Sequence, residues 1–369
     1  MLEAGAEVGP RVARSDERCA MVRLRRSLLE GLTSGQVTIE VMRAALQCAI
    51  ELEHSTIPLY LYALYSLVPD ENREVAAVLR SVVIEEMLHM VLAANMLNAI
   101  GGEPAISKPD FVPRYPGHLP GGVEGQVAVH LRPFSREQLE TFIEIEEPRD
   151  PLRYQAPVSS EAIETCTIGE FYLAIESAMA TLADDDFDGA GRHQVGPDLM
   201  FGSIAVTDLV SARRAIDTII EQGEGTATSP EEIDGPGGVN DFAHYYRLRE
   251  IQMGRRLVRV DATATDEARY AFAGEVVTFR ADGVYPLPVD PRASHYPVGT
   301  TQRRLIDAFN LTYTSLLEVL HTLLNGANDA VTFRSALALM STLERQAQVM
   351  ATGAEAGVHV GPTFEYHPR

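Results

Sequence analysis

The sequence predicts a mainly α protein built around a four-helix bundle. Three observations point there: apolar residues recur at helical spacing in several long runs, the two longest runs are separated only by the short turn VPDE, and glycine or proline clusters punctuate the rest. The chain has 369 residues, 46% hydrophobic and 22% charged, enough for a large core. Its formal charge of −21 argues against nucleic acid or an anionic membrane as partner. No apolar stretch reaches transmembrane length without charges. The opening stretch MLEAGAEVGPRVARSDER carries no signal-peptide pattern, and Cys19, Cys48 and Cys166 form no C-x-x-C pair. The expected setting is a reducing cytoplasm.

Residues 1–25 read as a flexible tail, 26–260 as the bundle with an inserted crossover at 101–204, and 261–369 as an irregular segment followed by helices packed on the bundle. From Ile39 to Leu67 the pattern is one long helix. ENREVAAVLRSVVIEEMLHMVLAANMLNAI forms a second, which Gly101 and Gly102 end, so the two make an antiparallel hairpin. A Pro- and Gly-rich stretch follows, then QVAVHL, a candidate strand. SREQLETFIEIEEP, TIGEFYLAIESAMATLA and VTDLVSARRAIDTIIEQGEG read as helices, as does NDFAHYYRLREIQMGRRLV. The stretch 260–300 is expected to lie irregularly over the surface, and two final helices are expected at about 301–325 and 329–352.

Glu85, Glu86 and His89 interrupt the apolar run of the second helix, and burying such groups is costly unless they are paired or bind a metal. Residues three apart lie about 60° apart on a helix, so Glu86 and His89 share a face. Glu85 falls about 100° from Glu86 and is expected at the flank, facing solvent or hydrogen-bonded. Glu-x-x-His is the ligand pair of di-iron and di-manganese carboxylate bundles, which need two such pairs and a lone Glu from each of two other helices. On the first helix, Glu53 lies within the stripe Leu46, Ile50, Ile57, Leu61 and Leu64. It stands 17 residues before position 70 and Glu86 stands 16 after, so equal rise brings them to one level. Pro58 is expected to kink the helix beside them.

In the second half, Glu224 lies near the inner stripe of Ile216 and Ile220, and Asp241 and His244 open the next helix. The candidate metal ligands are therefore Glu53, Glu86, His89, Glu224, Asp241 and His244. Alternatives stay open for each: Glu53 as a buried acid paired with an arginine such as Arg80, Glu86 and His89 as a helix-surface pair, Glu224 as a helix-end charge, Asp241 as an N-cap and His244 as a core histidine. Glu170 forms a capping box with Thr167, and Glu176 has no partner at its level. Glu318 and His321 read as structural, with only Glu344 available opposite. Tyr60, Tyr62, Tyr245 and Tyr246 are candidates for supporting or redox roles, with core packing the commoner use of such residues.

ELEHSTIPLYLYALYS, EEMLHMVLAANMLNAIGGEP, AIDTIIEQGEG, DFAHYYRLREI and the terminal GPTFEY resemble the ferritin-like proteins related to iminophenyl-pyruvate dimer synthase, over about residue 35 to the end. The resemblance implies a ferritin-like bundle with a dinuclear metal centre, ligated by Glu53, Glu86, His89, Glu224 and His244. In that family a Glu usually stands before the last His where this chain has Asp241, whose shorter arm leaves room for a water or weakens one metal position. The dimer synthases are much longer, so their own reaction is not carried over. The expected function is a non-haem di-iron oxidase or oxygenase with two metal ions, iron or alternatively manganese, and O2 as co-substrate. Its substrate would be a small, aromatic or amino-acid-derived metabolite of natural-product biosynthesis, reached through the 101–165 crossover and the C-terminal helices. The rival expectation is metal binding or storage without an organic substrate. A homo-oligomer remains open.

Overall fold

The computed structural model describes residues 31–32, 37–122, 127–148, 167–226, 229–231, 242–261 and 269–368. The expected N-terminal tail lies outside them, as do Asp241, Cys19 and Cys166. The described residues contain eight α-helices of ten residues or more: α1 (Ile39–Tyr65), α2 (Arg73–Ala99), α3 (Arg136–Ile145), α4 (Ile168–Met179), α5 (Leu209–Gly223), α6 (His244–Met253), α7 (Thr301–Leu324) and α8 (Ala330–Thr352).

Thr38 starts α1 by accepting from the Val41 amide, and the helix continues through the buried Pro58 to Tyr65. Proline leaves a carbonyl one turn back without its usual donor, and nearby the Ser55 and Thr56 hydroxyls bond to the Leu52 and Glu53 carbonyls. α2 ends where Gly101 adopts φ 70, with the Gly102 amide returning to the Leu97 carbonyl at 2.9 Å. α1 and α2 pack against each other more extensively than any other pair. α4 and α5 lie along this hairpin on α1 and α2 respectively, while α6 packs on α2, α5 and the short α3. The core is continuous and carries Leu46, Ile50 and Leu52 of α1, Val82 and Leu92 of α2, Tyr172 of α4 and Ile216 of α5.

Two buried asparagines of α2 hold the chain that leads into α5 and the end of α7. Asn95 donates to the carbonyls of Val195 and Ile204, and Asn98 to those of His193 and Leu324. α7 and α8 form a separate hairpin, α7 lying on α2 and α8 on α1.

Strand is scarce. β1 (Gly117–His118) and β2 (Ala128–Val129) form one antiparallel pair, the latter within the candidate strand QVAVHL. β3 (Arg255–Arg259) and β4 (Tyr270–Val276) form another. That second pair corrects two expectations. The helix of residues 240–258 stops at Gly254, in the left-handed conformation at φ 69, and GRRLV turns back as a strand. Its partner lies within 260–300, so that stretch is not wholly irregular; cross-strand pairing 15 residues away decides what local pattern did not.

Candidate metal centre

Glu53, Glu86 and His89 come together inside the bundle, each at most 3% exposed. One oxygen or nitrogen from each lies within 4.8 Å of the others, a grouping that can hold a metal ion. A second grouping of the same kind contains Glu86, Glu146 and His244. Glu86 belongs to both. Arg80 is not the partner of Glu53; it pairs on the surface with Glu344, at 3.1 Å.

The two halves are built differently. On the first hairpin, helical period sets the positions: Glu53 and Glu86 stand mid-helix on inner faces. Tyr172 of α4 donates to Glu53 Oε1, and Thr56 donates to Glu86 Oε2 at 2.7 Å. In the other half the groups sit at helix ends: Glu146 is the C-cap of α3, Glu224 the C-cap of α5, and His244 the first residue of α6. A carboxylate at a helix C-terminus faces the negative end of the helix dipole, an unfavourable placement of about 0.3–1 kcal/mol each that a nearby cation would reverse.

Both histidines turn Nδ1 into the site. His89 Nε2 lies 3.0 Å from the Gln222 side-chain oxygen, so it carries the proton and leaves Nδ1 towards Glu53 Oε2, at 3.7 Å, and Glu86 Oε1, at 3.9 Å. His244 Nε2 lies 2.8 Å from Glu85 Oε2. Its Nδ1 stands 3.1 Å from Glu86 Oε1 and 3.5 Å from Glu146 Oε2, yet is a buried atom with no hydrogen-bond partner. With Nε2 donating to Glu85, a neutral ring would aim the Nδ1 lone pair at two carboxylates. Either a proton or a cation must stand between them, and the donor set of imidazole and carboxylate suits a first-row divalent ion.

Burial lifts the carboxyls of Glu53 and Glu86 to about 7, with Glu146 adding like-charge repulsion at each. Burial pushes His89 down. For His244 burial acts the same way but is outweighed by the negative charge of Glu146 and by the Glu85 and Glu86 carboxylates beside the ring, so it is held well above the ordinary imidazole range. Several acids in one dry site cannot all ionise without a counter-charge, which a metal would supply.

Of the two states expected for Glu85 at the flank, the structure shows the hydrogen-bonded one and not the solvent-facing one. Glu85 is 4% exposed, and its neighbour Ile84, at 50%, faces outwards instead. The reason is that α6 covers this flank of α2: Arg247 bonds to both Glu85 oxygens and to Ser81 Oγ, and His244 bonds to Glu85 Oε2. Burial alone would raise the Glu85 carboxyl, but the His244 hydrogen bond and the Arg247 charge bring it down to about 2.

Glu224 belongs to neither grouping. It lines the same small cavity as Glu53, Glu86, His89, Glu146 and Tyr172, and accepts from the Gly169 amide at 2.6 Å. A Cβ on Gly169 would fall 2.5 Å from Glu224 Oε2, so only glycine admits the carboxylate there. Burial raises the Glu224 carboxyl to about 7. The cavity encloses about 10 Å³, room for a water or an ion and not for an organic molecule. Of residues 101–165 only Glu146 lines it among those described; its remaining walls are Ile168, Ile219, Ile220 and Gly223.

Glu146 escaped the sequence reading, although it lies three residues after Ile143, four after Phe142 and seven after Leu139, all buried. The acids and histidine set aside above have structural partners: Glu170 completes its capping box with Thr167, Glu176 pairs with Arg213 at 3.1 Å, and His321 meets the Pro104 carbonyl at 3.1 Å. Among the tyrosines, Tyr60 donates to Glu146, Tyr62 donates to the Pro288 carbonyl, and Tyr245 packs edge-on against Tyr246. α6 begins with Ala243 at its N-cap, with Asp241 outside the described residues.

Fold and site together define a helical bundle with paired carboxylate–histidine groupings at its centre. The family model described as ferritin-like matches residues 46–253, and the chain belongs to that family. It is 25% identical over 325 residues to dichlorochromopyrrolate synthase of Lentzea aerocolonigenes, covering 76% of this chain and 29% of that protein. It is 26% identical over 352 residues to 2-imino-3-(indol-3-yl)propanoate dimerase of Chromobacterium violaceum, covering 80% of this chain and 33% of that one. The chain thus spans a third or less of the length of these curated relatives. A solved ferritin-like protein from Caulobacter vibrioides shares the fold, with TM-score 0.59 and 20% identity over 88% of this chain and 97% of the other. No described helix is long and apolar enough to cross a membrane.

Proposed function

We propose that the protein is a non-haem dinuclear-metal oxidoreductase, with iron, or manganese in its place, and O2 as co-substrate. The observation that carries this reading is the pair of carboxylate–histidine groupings sharing Glu86, one of them with a buried Nδ1 that has no hydrogen-bond partner. Glu53, Glu86 and His89 would hold one ion, and Glu86, Glu146 and His244 the other. Glu224 in the cavity wall is a further carboxylate for the set, and Asp241 is proposed beside it from its spacing to His244. Bound iron would supply the electron transfers that reduce O2. The chain's own part is to fix the ligands, through Thr56, Tyr172, Tyr60, Gln222 and Glu85, and to exclude water with the apolar walls around them.

The substrate is proposed to be a small aromatic or amino-acid-derived metabolite of natural-product biosynthesis. Support comes from the relatives, a dichlorochromopyrrolate synthase and an imino-indolylpropanoate dimerase by name. Because the cavity among the acids holds no more than an ion or water, the substrate would sit outside it, in a pocket proposed to be lined by the 101–165 crossover and the C-terminal helices.

Elemental analysis of protein expressed with iron or manganese, anomalous scattering at the iron edge and O2 uptake test this reading. Two metal equivalents and O2 consumption with a reductant are the expected result. Bound metal with no O2 consumption under any reductant or aromatic substrate would favour storage, and absence of metal after supplementation would overturn the proposal.

A further inference from the structure

The ring nitrogen opposite each ligand atom meets a different acceptor. Behind His89 the acceptor is the neutral amide oxygen of Gln222, at 3.0 Å. Behind His244 it is the carboxylate of Glu85, at 2.8 Å, itself gripped at both oxygens by Arg247. Arg247 is held in turn by Ser81 Oγ at 2.8 Å. All of these side chains are buried or nearly so, so the differences are felt in a low-dielectric interior.

An anionic acceptor polarises the imidazole N–H more strongly than an amide does, and so makes the opposite nitrogen a better electron-pair donor. It also fixes the tautomer: Glu85, acceptor-only when ionised, demands a proton on Nε2 and frees Nδ1. Gln222 specifies the His89 tautomer less firmly, because an amide can present either its oxygen or its NH2. Arg247 offsets part of the Glu85 charge and in return holds that carboxylate in one place. Each grouping otherwise contributes two carboxylates, one of them the shared Glu86.

We infer that the centre is intrinsically asymmetric: the position formed by Glu86, Glu146 and His244 takes a divalent transition metal first and more tightly than the position formed by Glu53, Glu86 and His89, because Glu85 and not Gln222 stands behind its histidine. Glu85 is therefore a positioning residue that acts through His244. The inference rests on the metal-centre reading and has its own mode of failure.

The experiment is a titration of the metal-free full chain with Co(II), followed by calorimetry and visible absorption, together with anomalous diffraction at the cobalt edge from crystals grown with one equivalent. Two separated binding steps are expected, with cobalt at one equivalent concentrated beside His244. In Glu85→Gln, which keeps the side-chain size, the tighter step should weaken by about 10- to 100-fold and merge with the second. In Gln222→Glu the looser step should tighten, narrowing the gap. Cobalt divided equally between the positions at one equivalent, or concentrated beside His89, overturns the asymmetry while leaving the metal centre standing. No Co(II) bound at all overturns the metal centre itself. If Glu85→Gln loses its helical circular dichroism, the occupancies in the unaltered protein decide the matter alone.

Discussion

The first hairpin and the elements that close over it contribute to the same centre by opposite means. α1 and α2 present Glu53, Glu86 and His89 from the middle of long helices, where the side-chain direction follows from the period. Glu146, Glu224 and His244 stand at the ends of three different helices, where direction depends on how α3, α5 and α6 dock. The hairpin is thus a rigid half whose geometry is local, and the other half is assembled by packing. This difference explains why spacing suffices to bring Glu53 and Glu86 together, while the place of Glu146 depends on docking.

The largest test of the comparison is Glu86→Ala, since among the described residues Glu86 alone belongs to both groupings. It is expected to abolish both metal equivalents, as read by elemental analysis after iron loading; retention of either would show that one half is complete without it. Removing a carboxylate specific to one half comes next. Glu53→Ala and Glu146→Ala should each cost one equivalent and leave the other, and anomalous occupancy should show complementary losses beside His89 and beside His244. Loss of both ions in either variant would mean the halves are not separable.

A pH series separates the halves less sharply but tests the charge balance. In the metal-free fold the carboxyls of Glu53 and Glu86 titrate near 7, against an ordinary value of 4.5. Between those values the folded state binds more protons than the unfolded one, so stability falls as pH rises from about 4.5 to 7. The apparent Tm of metal-free protein should therefore decline across that window, and metal affinity should increase across it as the ligands shed their protons. Glu53→Gln should flatten the decline; a Tm that rises with pH instead would contradict the burial of uncompensated acids. The smallest expected effect is that of Tyr172→Phe, which removes only the hydroxyl that donates to Glu53. A loss of about 1 kcal/mol in unfolding free energy is expected in metal-free protein, measured by denaturant titration.

The long helices were legible because each carries its own punctuation: Thr38 at the start of α1, the glycines after α2, and turn residues between α7 and α8. The capping box of Thr167 and Glu170 was equally local. Glu146 was harder, although its spacing from Leu139, Phe142 and Ile143 carried the signal; a residue one step past a helix end has no assured direction until a neighbour covers it. For Glu85 the period leaves open whether it faces solvent or a hydrogen-bond partner. A period locates a side chain around its own helix but does not say which sides of that helix are covered, and α6 seals a side of α2 that the sequence left open.

By itself the sequence determined the helical class, the hairpin and the meeting of Glu53, Glu86 and His89, because those follow from 3.6 residues per turn and one short connection. Only the tertiary structure decided that Glu146 joins Glu86 and His244, that Glu85 turns inwards to His244 and Arg247, and that Glu224 rests on the Gly169 amide. These are contacts between residues 55 to 162 positions apart, set by the docking of separate helices, which no local period encodes.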